Sequence, residues 1–481
     1  MSGSLKDKTI TGMLWSSVHR FATMLISFIA NLVMARILSP EDFGIIGMLM
    51  VFIATANILV DGGFASALIQ KKEPTNADYS TIFYCNIIIA CILFVVLYIF
   101  APAIAEFYRM PQLSSILRTQ GLILIFNAFS IIQTNQLIKQ LNFKSLANTT
   151  IIATTIGATV GITFALMGFG VWSLVVQMLI TSITQSLILW GISAWRPMKG
   201  FSWQSFKNLS NYGSYILLTN LLWTFYENIQ ILIIGRIFSA KDLGFFTQAN
   251  KLVQVPVTSL SAIVNQVTFP VFSQLQDDFI KLKSAVRKSL KSIVFINFPL
   301  MSLLFVMASP LFTLLLTEKW ASSVPMFQIL CIGGMFWTIN TANSNIFKSL
   351  GRSDIYFKVQ TIKVIMGSIM IVIGIQFGLT GILYAIAGNS YLFFLINAHF
   401  TQKLLSYSTF EQLKDIAIYF LLSIIAGALT FMISLLFNAS HGVMLILQAS
   451  TFLSIYVGFA YLLKLEAFQL YYDIIANKIK R

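Results

Sequence analysis

Four ionisable residues lie inside long apolar stretches of this sequence: Arg20, Asp61, Glu227 and Lys251. Ionisable groups at such positions are costly in a membrane and are therefore functional candidates. Arg20 and Lys251 are each about nine residues from the end of their stretch, roughly 13 Å deep. Cations at this depth can bind an anionic group that has lost its water, and the carboxylates can bind a proton or a cation. Snorkelling or a structural ion pair would explain the same residues.

The composition of the chain indicates that these residues lie in a membrane. The 481 residues are 57% hydrophobic and only 10% charged, and the mean hydropathy is +0.81. Soluble domains are about 25% charged. At about 20 residues per span, the apolar segments predict an all-α polytopic membrane protein with about fourteen transmembrane helices. Little of the chain remains for a soluble catalytic or nucleotide-binding domain.

The basic residues, which give a net charge of +15, indicate the orientation of the chain. Lys251 lies inside a span, and most other basic residues fall at or near alternate joints between spans. The positive-inside rule assigns those joints, and both termini, to the cytoplasm, where they face anionic membrane lipids rather than nucleic acid. The outer joints then contain only Arg36, Arg109, Arg118, Arg236, Lys241 and Lys319.

Residues 274–293 read QLQDDFIKLKSAVRKSLKSI, with apolar residues at helical spacing and lysines and arginine on the opposite face. This pattern predicts a basic amphipathic helix on the inner leaflet, ahead of a ninth span over 290–316. A solvated connector would have the same charge pattern. The C-terminal stretch LEAFQLYYDIIANKIKR predicts a second interfacial helix.

An internal repeat joins span one to span two and span seven to span eight. Residues 35–44 read ARILSPEDFG, and residues 235–244 read GRIFSAKDLG. Ser39 and Ser239 can cap the following helix in a capping box with Asp42 and Asp242, and the glycines permit close helix contact. The pairs that are identical at a separation of 200 residues are Arg36/Arg236, Ile37/Ile237, Ser39/Ser239, Asp42/Asp242 and Gly44/Gly244.

Six spans separate the two copies, so both copies face the same side of the membrane. This parity predicts two six-helix bundles related by a two-fold axis along the membrane normal, an architecture typical of transporters. The predicted domains are residues 1–200 and 201–405. Residues 406–481 form an appended pair of helices and a cytoplasmic amphipathic tail.

The stretches Gly12-Met-Leu-Trp15, ARILSPEDFGIIGM and ILVDGGFASALIQKKEPT resemble one branch of the multidrug/oligosaccharidyl-lipid/polysaccharide exporter superfamily. That branch is the polysaccharide transporters, which include the Wzx-type flippases of the lipopolysaccharide and colanic-acid type. The resemblance implies two six-helix bundles in a V around a central cavity, with two extra helices. The implied activity is to flip an undecaprenyl-pyrophosphate-linked oligosaccharide from the inner to the outer leaflet of the bacterial inner membrane. The cargo would be an O-antigen, capsule or exopolysaccharide repeat unit.

The resemblance also carries expectations for residues and partners. In related flippases, cavity-facing cations come from helices one, two and eight. Arg20 and Lys251 match helices one and eight, whereas helix two has no Lys or Arg and offers only Asp61. The implied partners are the lipid-linked oligosaccharide, membrane lipids, and polysaccharide polymerase and chain-length proteins. No cofactor, metal or nucleic acid is expected.

The sequence contains no Walker, GxSxG or HExxH motif, so an enzyme is not expected. Two other classes of function remain open. A cation-coupled multidrug exporter of the same superfamily would have twelve helices, and the appended pair argues against it. A non-transporting partner of a polysaccharide-assembly complex would need no intramembrane charge.

Glu227 and Lys251 are predicted to pair. Each lies 12 residues from Ser239, the apex of the hairpin between spans seven and eight. Antiparallel neighbours place both at the same height, so an ion pair would lower the cost of each charge. The pair is either a structural link or a switch, in which Lys251 releases Glu227 when the substrate's diphosphate arrives.

Overall fold

The computed structural model describes residues 2–479, apart from the side chains of residues 2–14, 17, 211, 212, 215, 219 and 474–479. The stretch Gly12-Met-Leu-Trp15 carries part of the resemblance noted above, and the side chains of its residues 12–14 lie outside the described part. Over residues 2–479 the secondary structure is α-helical apart from one 3-10 turn. The chain divides into two compact units, Met1–Gly244 and Phe245–Arg481.

The first unit contains the helices of the first seven spans. Within it α1 packs on α7, α7 on α8, α4 on α6 and α2 on α9. The helices are α1 Ser2–Ile37, α2 Pro40–Asp61, α3 Phe64–Gln70, α4 Asn76–Phe107, α5 Leu113–Gln120, α6 Leu122–Lys139, α7 Phe143–Leu166, α8 Val171–Ile192 and α9 Trp203–Ile237.

The second unit contains the remaining spans. Within it α13 and α14 pack on α15, and α11 packs on α13 and α16. The helix α10, Ala240–Gln274, begins in the last residues of the first unit. It is followed by α11 Phe279–Val306, α12 Ala308–Leu316, a 3-10 turn Glu318–Trp320, α13 Ser323–Ser349, α14 Ser353–Ile375, α15 Gly378–Leu405, α16 Thr409–Ser434, α17 His441–Leu462 and α18 Glu466–Ile479.

Fourteen segments of the described chain are long and apolar enough to cross a membrane. The all-α, fourteen-span prediction is thus confirmed. Two spans are interrupted, because α2 and α3 together form the span Pro40–Gln70, and α5 and α6 form Leu113–Lys139. The contact boundary falls at Gly244 rather than at residue 200, because α9 packs on α2, α3 and α4. The boundaries derived from the repeat stay a prediction.

Both repeat joints fold as capped hairpins. The Asp42 amide donates to the Ser39 hydroxyl at 3.2 Å, and the Ser39 amide donates to the Asp42 carboxylate at 2.9 Å. In the second copy the corresponding distances for Ser239 and Asp242 are 3.0 and 3.2 Å. Pro40 occupies the first turn of α2, where its missing N–H is not needed. The two predicted capping boxes are confirmed.

The two joints also pack against each other, inside the first unit. A Cβ atom at Gly44 would overlap the carbonyl oxygen of Ala240, and one at Gly244 would overlap the carbonyl oxygen of Pro40. The contact is reciprocal, since Ala240 and Gly244 are the repeat counterparts of Pro40 and Gly44. The recurrence of glycine in both copies thus has a physical cause: each glycine admits the backbone of the other copy.

The second span is broken at a pair of glycines. Gly62 ends α2 and Gly63 precedes α3, both with positive φ of 58° and 72°. A Cβ at Gly63 would also overlap the carbonyl oxygen of Gly213 on α9. Glycine is therefore required here both for the backbone conformation and for the close approach of α9.

The basic segment after α10 differs from its prediction. It is not a separate interfacial helix, because α11 begins at Phe279 and continues without a break to Val306. Its apolar side is buried in protein rather than lipid, since Leu282 and Val286 pack in a cluster with Phe272, Ile346 and Tyr407. The ninth span correspondingly ends at Val306, and the predicted residues up to 316 form α12. The amphipathic pattern reflected contact with the protein interior.

The N-terminus of α11 is fixed by a side-chain cap. The Lys281 amide donates to the Asp278 carboxylate at 3.0 Å. This hydrogen bond, together with the nearby Lys281 ammonium, lowers the pKa of Asp278. The carboxylate therefore remains ionised at neutral pH and keeps the first turn capped.

The basic side of α11 holds the appended helices. Arg287 and Lys291 both contact the buried Asp415 near the start of α16, with Arg287 Nε 2.6 Å and Lys291 Nζ 3.5 Å from its oxygens. The Tyr407 hydroxyl donates to the same carboxylate at 2.7 Å. Lys291 also pairs with Glu466 in the first turn of α18, at 2.6 Å. Two carboxylates, Asp415 and Glu466, thus connect α11 to the appended segment.

We expect Gly44→Ala to destabilise the protein by about 2 kcal/mol or more, because the added methyl group forces two backbones apart. The measurement is membrane abundance and the thermal unfolding temperature of purified protein. Gly458→Ala is the matched control, since a Cβ there meets no atom within 4 Å. Equal behaviour of the two variants would show that the joints do not need the close contact.

We expect Asp415→Asn to destabilise the protein by about 3 kcal/mol, because it leaves Arg287 without its buried partner. Thermal unfolding in detergent measures the effect. Asp354→Asn is the control, because Asp354 forms an exposed pair with Arg352 at 2.8 Å and exposed pairs contribute little. A shift no larger than that of the control would contradict the proposed anchoring.

Candidate functional site

Arg20 lies on a polar face of α1. The same face carries, at spacings of three or four residues, Ser16, Thr23, Ser27 and Asn31. Arg20 is exposed, and its carbonyl oxygen accepts a hydrogen bond from the Thr23 hydroxyl at 3.2 Å. The opposite side of the helix is exposed and apolar, and consists of Val18, Phe21, Leu25 and Ile29.

Glu227 has the same kind of position on α9. It is exposed and lies two helical turns from the exposed Asn220 on one side of the helix. The Trp223 indole, one turn earlier, donates a hydrogen bond to the Glu227 carboxylate. Leu218, Leu222 and Phe225 form the opposite side and are 59%, 60% and 57% exposed.

Lys251 lies on a polar face of α10. This face resembles those of α1 and α9 and continues beyond Lys251 along the helix. The side chains at spacings of three and four residues are Lys251, Gln254, Thr258, Ser261 and Asn265, of which the first, third and fifth are exposed. A second side of α10 is exposed but apolar and includes Ile263 and Val267. A third side, with Val253 and Val257, is buried.

The three helices therefore share one arrangement. Each has an exposed apolar side, and an ionisable residue on the opposite, polar side. Contact with hydrocarbon suits the apolar sides, whereas a charge in the middle of a span requires water or polar partners. Arg20, Glu227 and Lys251 thus face away from the surfaces suited to lipid. The spacing of polar and apolar residues in the sequence indicates the two sides of each helix. Only the exposure of the side chains in the structure distinguishes an apolar side that can contact lipid from one that is buried in protein.

Asp61, the fourth predicted residue, lies at the break between α2 and α3. The amides of Gly63 and Ala65 donate hydrogen bonds to its carboxylate, so Asp61 connects the two helix segments. It is about 31 Å along α2 from Pro40, and it stays a candidate for ion coupling. Arg20, Asp61 and Glu227 are on separate helices of the first unit, and Lys251 belongs to the second. The pairing of Glu227 with Lys251 stays a prediction.

The residues of the repeat joints are structural in the described geometry. Ser39, Asp42, Ser239 and Asp242 form the two caps, while Gly44 and Gly244 form the reciprocal contact. Arg236 lies over the Phe107 ring, 5.1 Å from its centre, and Arg36 is exposed. Among the described residues, no group of three His, Cys, Asp or Glu side chains could hold a metal ion.

Sequence reasoning missed one intramembrane cation. Lys363 lies within α14, is 4% exposed, and places its ammonium 5.8 Å from the centre of the Phe393 ring. The side chains of Asp78, Lys363 and Asp415 are the charged ones buried in the described part of the chain. The two carboxylates form ion pairs, whereas the contact of Lys363 is aromatic. Its location in the span over residues 356–376 was visible in the sequence.

Comparison with known proteins defines the class. Residues 33–325, more than half of the chain, match the family described as "Polysaccharide biosynthesis protein". The chain belongs to this family, which confirms the resemblance to polysaccharide transporters.

Two relatives illustrate the similarity. The chain is 28% identical over 380 residues to the lipopolysaccharide biosynthesis protein WzxC of Escherichia coli (strain K12), covering 78% of this chain and 76% of that protein. It is 24% identical over 435 residues to the teichuronic acid biosynthesis protein TuaB of Bacillus subtilis (strain 168), covering 90% of each.

Solved structures show the same fold at lower identity. The lipid II flippase MurJ in its inward closed conformation aligns with a TM-score of 0.78 and 15% identity, over 96% of this chain and all of that chain. An inward-facing multidrug resistance MATE family transporter aligns with a TM-score of 0.61 and 17% identity, over 82% of this chain and 99% of that chain. This chain therefore shares its fold with these two structures.

The opposite sides of α10 can be tested by chemical labelling. In a background with Cys85, Cys91 and Cys331 replaced, we expect Thr258→Cys to react with a charged thiol reagent, because Thr258 is exposed on the polar side that we assign to water. Ile263→Cys is the control and should not react, because thiolate formation requires water. Labelling in membranes is measured by mass shift, and equal labelling would contradict the assignment of the two sides.

Proposed function

We propose that the protein translocates an undecaprenyl-pyrophosphate-linked oligosaccharide from the inner to the outer leaflet of the bacterial cytoplasmic membrane. The observation that carries this proposal is the set of intramembrane charges on the polar sides of α1, α9 and α10. Membership of the polysaccharide biosynthesis family supports a polysaccharide precursor as cargo, as do relatives named for lipopolysaccharide and teichuronic acid biosynthesis. The chain shares its fold with a lipid II flippase, and this fold is compatible with a cargo that is linked to a lipid.

Arg20 and Lys251 bind the diphosphate in this proposal. A diphosphate that leaves water needs cationic hydrogen-bond donors to replace its hydration, and charge-assisted hydrogen bonds of this kind are strong. Both side chains are exposed although they lie within spans. If they faced lipid, each would cost several kcal/mol. Water beside each residue would explain its exposure and would leave each cation able to bind a diphosphate.

Both termini are cytoplasmic in this proposal, because that orientation puts most basic residues on the inner side. Lys251 pairs with Glu227 at rest and releases Glu227 when the diphosphate arrives. Glu227 then binds the coupling proton or cation. The polysaccharide polymerase and chain-length proteins receive the product on the outer side.

Multidrug export is the second candidate function, since a MATE transporter shares the fold.

We expect Arg20→Ala and Lys251→Ala each to lower surface polysaccharide about tenfold, because hydrogen bonds to a charged group contribute about 1.5–3 kcal/mol. Surface polysaccharide and membrane abundance are measured in the same cells. Arg352→Ala, which removes an exposed cation, is the control and should export normally. Full export by the Arg20→Ala, Lys251→Ala double variant would refute this role and leave drug export as the better candidate.

The proposed switch can be separated from a structural pair by exchanging the two charges. A fixed ion pair predicts that Glu227→Lys with Lys251→Glu restores both abundance and flipping. The switch predicts restored abundance without flipping, because the carboxylate no longer occupies its position on α9. Glu227→Gln and Lys251→Gln are the single-site references. If both single variants export normally, neither role exists.

A further inference from the structure

Beyond the lysine, the polar face of α10 carries groups that the proposed diphosphate site does not use. Gln254, Thr258, Ser261 and Asn265 follow Lys251 on one side of the helix. They bear amide and hydroxyl groups and no charge. From residue 251 to residue 265 the face is roughly 21 Å long at 1.5 Å per residue. This length and composition describe a surface for an elongated, neutral and polar ligand.

Two of these groups have hydrogen-bonding capacity that the described residues do not use. The Ser261 hydroxyl is enclosed and has no hydrogen-bond partner among the described residues, and buried polar groups are normally bonded to protein or water. The amide oxygen of Asn265 accepts a hydrogen bond from Asn345 on α13 at 2.8 Å. Its NH2 group donates to no described residue, so it can donate to a ligand.

The far end of this face is held in position by α13. Asn345 is 2% exposed, and its NH2 group donates both to Asn265 and to the Thr268 hydroxyl, the latter at 2.9 Å. A side chain with two such bonds fixes the rotamer of Asn265 instead of leaving it mobile. A buried group that orients a binding side chain is expected where the binding geometry matters.

We propose that Gln254, Thr258, Ser261 and Asn265 bind the sugars of the substrate, while Lys251 binds its diphosphate. This inference rests on the proposed function. Sugar hydroxyls both donate and accept hydrogen bonds, which matches amide and hydroxyl side chains. In the proposed orientation α10 runs from the outer joint towards the cytoplasmic side, so the sugars would extend inward from the diphosphate along the helix. Asn345 is a positioning residue that acts through Asn265.

The test compares two probes on purified full-length protein in nanodiscs: undecaprenyl diphosphate, and the undecaprenyl-diphospho-oligosaccharide extracted from the producing strain. We expect Thr258→Val and Asn265→Leu together to weaken binding of the oligosaccharide lipid about tenfold, since each loses a hydrogen bond to the ligand. Binding of undecaprenyl diphosphate should change less than about twofold. Val267→Thr, the reverse isosteric change on the apolar side, should alter neither.

The outcomes separate this inference from the proposed function. If the unmodified protein binds neither probe, the proposed function fails. If it binds both, but the double variant loses both equally or neither, the sugar site fails and the proposed function stands. Should the double variant unfold, Gln254→Met is the second variant, with the same expected selectivity. Asn345→Leu, measured in protein that remains folded, should also weaken binding of the oligosaccharide lipid and not that of undecaprenyl diphosphate.

Discussion

The cost of placing a charge in hydrocarbon organises this molecule. A single ionised side chain in the middle of a span costs several kcal/mol unless water, an opposite charge or an aromatic face compensates it. The described residues show an ion pair, an aromatic contact and a third arrangement, in which the charge lies on a polar helix side. Asp415 is paired with Arg287 and Lys291, Lys363 lies against an aromatic ring, and Arg20, Glu227 and Lys251 lie opposite apolar sides. The proposed function rests on this last arrangement, because it leaves the three charged side chains exposed.

Backbone geometry connects the repeat to this arrangement. α9 and α10 flank one joint and α1 and α2 flank the other, and the joints meet through Gly44 and Gly244. The helices that bear Arg20, Glu227 and Lys251 therefore all begin or end at two packed joints. We expect a substitution at either glycine to act on the helices that carry the charges, because the two joints lie at the ends of those helices.

Local rules predicted much of this structure. Hydropathy located the fourteen spans, and the Ser-x-x-Asp spacing predicted both capping boxes, because these features depend on a few neighbouring residues. The segment over 274–293 shows the limit of such rules. Its amphipathic pattern predicts a helix correctly, but the pattern is the same whether the apolar side meets lipid or Phe272 and Tyr407. The reciprocal contact of the joints likewise depends on packing between residues 200 positions apart, which periodicity cannot supply.

The central claim is that these accessible charges serve the passage of a lipid diphosphate that carries sugar. The most direct measurement places purified protein in liposomes with a fluorescent undecaprenyl-diphospho-oligosaccharide and follows its exposure to an impermeant quencher. The account predicts that the protein brings lipid from the inner leaflet within reach of the quencher, at a rate well above that of protein-free liposomes. It also predicts that Lys251→Gln slows this transfer. A rate equal to that of protein-free liposomes would contradict it.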